Sequence, residues 1–173
     1  MVSLLAATLL LVALTFLPAL ELRFSIPVGI LAGKVTLPFF GTVSGFGLSW
    51  PYVFIVCVLA NILLAAVFYW FLDVIVRRLL VPHWPWFAEV FTKRVARAQR
   101  KIHAAVQRWG WFGLALFIAI PFPGSGVYTG GIAAYALGMD YRRFLAASVL
   151  GCVIAGSLVT FFALGVINVF GFF

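Results

Sequence analysis

A chain of 173 residues that is 65% hydrophobic and 9% charged lacks the polar residues to cover itself in water, which excludes an ordinary soluble domain. Twelve Lys and Arg against four acids (Glu21, Asp73, Glu89 and Asp140) leave a net charge of +8. No soluble domain carries that charge, so it speaks for membrane topology and anionic head groups and against nucleic acid.

From the start of the chain, the sequence is apolar from Leu4 to Leu20. It has no basic leading segment and no small-residue cleavage site, so this stretch is expected to stay in the protein. Four apolar blocks follow one another: Ser3–Gly33, Pro51–Leu72, Trp109–Gly138 and Phe144–Phe173. One crossing takes about 20 helical residues. The second block is a plain span, and the fourth holds another near Phe144–Val166. The first and third are too long for one crossing and too short for two. Each is also interrupted, the first by Pro18, Glu21, Arg23 and Pro27, the third by Pro121-Phe-Pro123-Gly124-Ser125-Gly126. Two half-crossings joined at the break, a re-entrant hairpin, fit both lengths, provided protein or a wet cavity surrounds the irregular backbone. A tilted, kinked helix with an interfacial tail is the plainer alternative. Cys57 and Cys152 both lie inside apolar runs and read as small packing residues.

Basic residues set the topology. Arg77, Arg78, Lys93, Arg94, Arg97, Arg100, Lys101 and Arg108 precede the third block, and Arg142 and Arg143 follow it. The positive-inside rule places both groups in the cytoplasm, so the third block starts and ends on one side. The spans before and after it then run in opposite directions, and the Lys34–Trp50 loop lies outside. Between them, Trp86–Trp109 gathers Phe87, Phe91, Val95, Ala98, Ile102 and Val106 on one helical face and its cations on another. This basic amphipathic helix suits an inner surface of anionic lipid, with Arg94, Arg97, Arg100 and Lys101 on the head groups. Fixing the topology alone requires the same pattern.

The order hairpin, loop, span thus occurs twice. Ile26-Pro27 recurs as Ile120-Pro121, and Cys57-Val58-Leu59-Ala60 as Cys152-Val153-Ile154-Ala155, at nearly the same spacing. The expected fold is an all-α integral membrane protein in one membrane domain, residues 1–173. Repeat one is 1–76, the cytoplasmic amphipathic segment 77–108 and repeat two 109–173, with the two repeats inverted. Broken helices in inverted repeats are a transporter architecture.

Glu21 and Arg23 are the sharpest chemical feature, because ionised groups deep in a bilayer cost several kcal/mol unless paired or hydrated (about 2.5–3.5 kcal/mol by insertion scales). Two residues apart on a helix they point to different faces. They read as a polar cavity, with Glu21 taking up a proton or cation and Arg23 holding an anion. Capping of half-helices, or a shallow position at the outer interface, would also explain them. In the second break, Ser125, Tyr128 and Thr129 supply hydroxyls, and Gly124, Gly126, Gly130 and Gly131 permit close backbone approach. A half-helix starting after Pro123 turns its N–H end, which favours an anion, toward the midplane. Small-residue helix packing is the alternative for those glycines. Asn61 stands alone in the second block and reads either as cavity lining or as an interhelical hydrogen bond. The candidate substrate or ion site is therefore Glu21, Arg23, Pro27, Asn61, Pro121, Pro123, Gly124, Ser125, Gly126, Tyr128 and Thr129. The Gly-Ser125-Gly triplet could suggest a nucleophile, but both histidines, His83 and His103, lie in the basic segment. No enzyme activity, cofactor or metal is expected.

Glu21-Leu-Arg23-Phe-Ser-Ile26-Pro27-Val-Gly29, then Ala60-Asn61, then Trp109-Gly110-Trp-Phe-Gly113 leading into Ile120-Pro121-Phe-Pro123-Gly124-Ser-Gly126-Val-Tyr128-Thr129-Gly130, resemble the small multidrug export protein family. The resemblance follows almost the whole chain in order. That family is distantly similar to the DedA/VTT superfamily, which implies paired re-entrant hairpins and translocation of a lipid or polyprenyl phosphate. Where that superfamily typically carries arginines in its second hairpin, this chain has hydroxyls and glycines, which leaves Arg23 as the buried cation. The expectation is a multi-pass protein of the cell membrane, in a prokaryote the plasma membrane. It would translocate an amphipathic or lipid-linked substrate with ion or proton coupling. Export of cationic drugs and a non-transporting, membrane-organising role are the alternatives. A second copy of the chain is a candidate partner, since 173 residues make a thin wall around a cavity.

Overall fold

A computed structural model describes residues 3–18, 20–37, 41–75, 110–120 and 125–170. Six helices stand among them: α1 (Leu4–Phe16), α2 (Glu21–Ile30), α3 (Trp50–Val74), α4 (Trp111–Ala119), α5 (Val127–Ala136) and α6 (Tyr141–Phe170). The basic segment 77–108, with Arg94, Arg97, Arg100 and Lys101, lies outside the described residues.

Local chemistry explains the boundaries. Ser3 caps α1 by accepting the Ala6 N–H at 3.2 Å. Both α1 and α4 end one residue before a proline, at Leu17 and Ile120, each in extended backbone. The proline ring excludes helical geometry from the residue before it. α3 opens with Pro51 in its first turn, where the missing N–H costs nothing. α5 closes on Gly138 at φ +67, with the Met139 N–H on the Ala134 carbonyl; the left-handed turn requires glycine there. Asp140 then starts α6 by accepting the Arg142 N–H at 3.1 Å.

Only α3 and α6 are long and apolar enough to cross a membrane, over Trp50–Val74 and Tyr141–Gly165, among the described residues. At 1.5 Å per residue, α1 with 13 residues is about 20 Å long, too short for a hydrocarbon core of about 30 Å. α1 and α2 fold back on each other, Thr15 beside Ser25 and Leu11 beside Gly29. α4 and α5 do the same, with Leu114 and Ile118 against Gly130. α3 and α6 run antiparallel, since Asn61 meets Cys152, Val58 meets Gly156 and Tyr69 stacks on Phe144.

Two sequence expectations change here. The turn in the first apolar block is made by Pro18, while Pro27 sits inside α2. Ile26-Pro27 therefore lies within a helix, whereas Ile120 follows the end of one, as Leu17 does before Pro18. The loop expected between Lys34 and Trp50 also carries a two-stranded antiparallel ribbon, β1 (Lys34–Leu37) with β2 (Gly41–Ser44), Val35 paired with Val43. The six described helices agree with the expected all-α membrane fold, and α3 and α6 with its two expected spans.

Lipid offers no hydrophobic drive between helices, so close backbone approach must hold them. Gly29 faces Val53, Gly156 faces Val58, and a Cβ at Gly151 would stand 2.8 Å from both the Ala115 carbonyl oxygen and the Ile118 Cβ. Neither of those atoms can swing away. Gly151→Ala is expected to destabilise by about 2 kcal/mol in a reversible SDS titration. Gly113→Ala and Gly165→Ala, where nothing lies within 4 Å, should be neutral or gain from helix propensity.

Candidate functional site

The two helical hairpins meet end to end, and their backbone ends are cross-capped. α2 begins at Glu21, which holds a left-handed backbone (φ +45) that a residue with a Cβ adopts at a cost of roughly 1 kcal/mol or more. That conformation turns its side chain, 4% exposed, out of its own hairpin and onto the start of α5. The carboxylate accepts the Val127 N–H at 3.3 Å, and the Tyr128 N–H and the Asn61 amide face it as well. The Val127 and Tyr128 N–H groups are the first-turn donors at the positive end of α5.

Arg23, half-buried and two residues on, points the other way. Its Nη2 donates to the Ile120 carbonyl at 3.0 Å and to Ser125 Oγ at 3.1 Å. Ser125 donates to the same carbonyl at 2.7 Å. The negative end of α4 thus receives a cation and a hydroxyl. Reciprocally, the Tyr128 hydroxyl of α5 donates to the Phe16 carbonyl at the end of α1. Thus α2 caps the end of α4, and α5 caps the end of α1. The divergence of Glu21 and Arg23 follows the i, i+2 spacing read from the sequence, and both charges are matched by helix ends.

The N–H end of α5 is occupied by the Glu21 carboxyl group. Glycine at 126 makes this possible: a Cβ there would lie 2.5 and 2.6 Å from the two carboxylate oxygens. Its φ of 178° is ordinary extended backbone, so space alone demands glycine. Gly130 and Gly131 instead pack on Ile118 and Phe68, as the small-residue reading has it.

Of the predicted site residues, Glu21, Arg23, Asn61, Ser125, Gly126 and Tyr128 come together. Thr129 does not join them; it is exposed, and its hydroxyl accepts the Gly126 N–H at 3.1 Å, capping its own helix. Pro27 lies in the body of α2, and Pro121, Pro123 and Gly124 fall outside the described residues. The gathered residues include others that the sequence did not single out. Cys152 of α6 receives the Asn61 Nδ2 at 3.5 Å. Thr15 and Ser25 form a buried chain, Thr15 Oγ1 donating to Ser25 Oγ at 2.8 Å and Ser25 to the Glu21 carbonyl at 3.1 Å, which braces the strained residue. The Phe16 and Ile120 carbonyls could have been found, because a helix that stops at a proline leaves its last carbonyls open.

No curated protein and no solved structure matches this chain. A protein family does, described as "Putative small multi-drug export protein", and it matches residues 21–158, from Glu21 through α3 and into α6. Apolar spans, hairpins tied by buried charge and this match agree: the chain is a membrane protein and belongs to the small multi-drug export protein family.

Proposed function

We propose that this chain is a proton-coupled transporter of the cell membrane, in which the two hairpins are re-entrant and part to pass an amphipathic or lipid-linked substrate. The observation that carries the reading is the Glu21 carboxylate, buried between α2, α3 and α5 and tying the hairpins together through α5's N–H groups. An ionised carboxylate caps that helix end strongly, whereas a protonated one does so weakly. Proton uptake at Glu21 therefore loosens the contact between the hairpins. Short paired helices, an antiparallel α3 and α6, and cross-capped tips support inverted repeats of 1–76 and 109–173 with a site near the midplane. Arg23, with a partly free guanidinium, is positioned for the anionic head of the substrate once Glu21 withdraws; its Nε has no partner. Ser125, engaged by Arg23 and Ile120, serves this arrangement and not catalysis.

The family's description favours drug export as a second reading, with Glu21 as counter-ion to a cationic drug. Arg23 beside it disfavours a cation there. Proteoliposomes with an imposed pH gradient separate the two, using a fluorescent anionic phospholipid and ethidium as probes. Wild type should move the lipid probe in response to the gradient, and Glu21→Gln should lose that response by about tenfold or more. A gradient response confined to ethidium supports drug export. Full gradient-driven activity in Glu21→Gln removes the coupling role, and a membrane-organising protein acting through the 77–108 segment becomes the better account.

A further inference from the structure

Asn61 lies midway along α3 and is 1% exposed, with the Glu21 carboxylate to one side and the Cys152 thiol to the other. Its Nδ2 faces both, reaching Cys152 Sγ at 3.5 Å, while its Oδ1 is buried without a partner. A buried carbonyl oxygen with no donor is destabilising, and an apolar side chain of similar volume would avoid that cost. A packing role therefore does not account for asparagine here.

The chemistry of its neighbour does. A carboxylate only accepts hydrogen bonds, whereas a carboxylic acid also brings one donor. An amide carries a donor and an acceptor on one planar group, and a half-turn about its terminal torsion exchanges them. Nδ2 donates to Cys152 and faces the Glu21 carboxyl group, the orientation that suits an ionised Glu21. With a proton from water on Glu21, the turned amide presents Oδ1, which accepts from the Glu21 O–H and the Cys152 S–H. One end of the amide stays unpaired in either state, which keeps the two close in energy. The other ionisable groups facing Glu21 among the described side chains are Arg23 on α2, Tyr128 on α5 and Cys152 on α6; α1 has none. Arg23 and Tyr128 are committed to the Ile120 and Phe16 carbonyls, and neither can offer Glu21 both donor and acceptor.

We infer that Asn61 is the positioning residue that lets Glu21 stay buried in both protonation states, turning its amide as the proton arrives. This deepens the proton-coupled reading and rests on it. The chain has two asparagines, Asn61 and Asn168, and two glutamates, Glu21 and Glu89, so selective labelling gives two side-chain signals of each kind. The full chain in lipid nanodiscs is labelled with side-chain ¹⁵N-asparagine and carboxyl-¹³C-glutamate, assigned with Asn168→Gln and Glu21→Gln, and titrated over roughly pH 4 to 10. The Asn61 amide signal is expected to shift with the same midpoint as the Glu21 carboxyl, and to stay fixed in Glu21→Gln. A Glu21 carboxyl that titrates beside a stationary Asn61 signal overturns this inference and leaves the coupling role standing. A Glu21 carboxyl that does not titrate in that range overturns both.

Discussion

Gly126→Ala is expected to cost about 2 kcal/mol of stability and to unseat Glu21 from the start of α5. The backbone at 126 is extended, so alanine brings no conformational strain; the whole effect is one methyl placed 2.5 to 2.8 Å from the three carboxyl atoms of Glu21. The carboxylate is the free end of a side chain and can move aside. In moving it gives up charge-assisted bonds to α5's N–H groups, each contributing about 1.5–3 kcal/mol in a buried setting. The check is a double-mutant cycle in reversible SDS titrations of wild type, Gly126→Ala, Glu21→Ala and the double variant. Once Glu21 is shortened the three atoms nearest the methyl are gone, so the second substitution should add little and the coupling should reach about 1–2 kcal/mol. Additive costs would mean that Glu21 does not occupy the space in front of Gly126, and the cross-cap would be lost with it.

Most of the elements and the chemical centre were legible in the sequence, for identifiable reasons. Block length against bilayer thickness marks α3 and α6 as spans and the first and third blocks as broken, because 1.5 Å per residue leaves few alternatives. An acid and a base two residues apart in an apolar run are conspicuous because a membrane makes them expensive. The choice of breaking proline was not legible. Leu17-Pro18 and Ile26-Pro27 carry the same local bias, but Pro27 follows a helix already started at Glu21 and is tolerated there, at the expense of the bond from its own missing N–H to the Arg23 carbonyl. The ribbon β1–β2 had a signal that a loop assignment passed over: Val35, Thr36, Thr42 and Val43 are β-branched on both sides of a short connection.

What occupies the anion site at α5 lies beyond any local pattern. The sequence shows a half-helix N-terminus that wants a negative charge and an acid that wants donors. Val127 and Glu21 are 106 positions apart, and only the docking of one hairpin on the other brings them together. The same holds for Tyr128 with Phe16 and for Arg23 with Ile120. Helix ends are where a membrane protein has unpaired backbone groups, and satisfying them across the hairpin contact makes that contact a structural joint.

Arg23→Gln tests whether that joint is electrostatic. The substitution leaves Glu21 buried without its nearest positive charge and leaves the Ile120 carbonyl to Ser125 alone. Removing one partner of a fully buried ion pair costs about 3–5 kcal/mol. Arg23 is only half-buried and its charge partly screened, so a loss of about 2 kcal/mol is expected. If the cost arises from the stranded carboxylate, Glu21→Gln in the same chain restores most of it, and the doubly neutral protein is more stable than Arg23→Gln alone. If it arises from α4's open carbonyl, the second substitution recovers nothing, since Gln at position 21 does not reach Ile120. SDS titrations of the single and double variants decide between them. Recovery assigns Arg23 to holding Glu21 ionised between the hairpins. No recovery makes it a helix cap, and substrate binding by its guanidinium then requires α4 to give up the donor that closes its end.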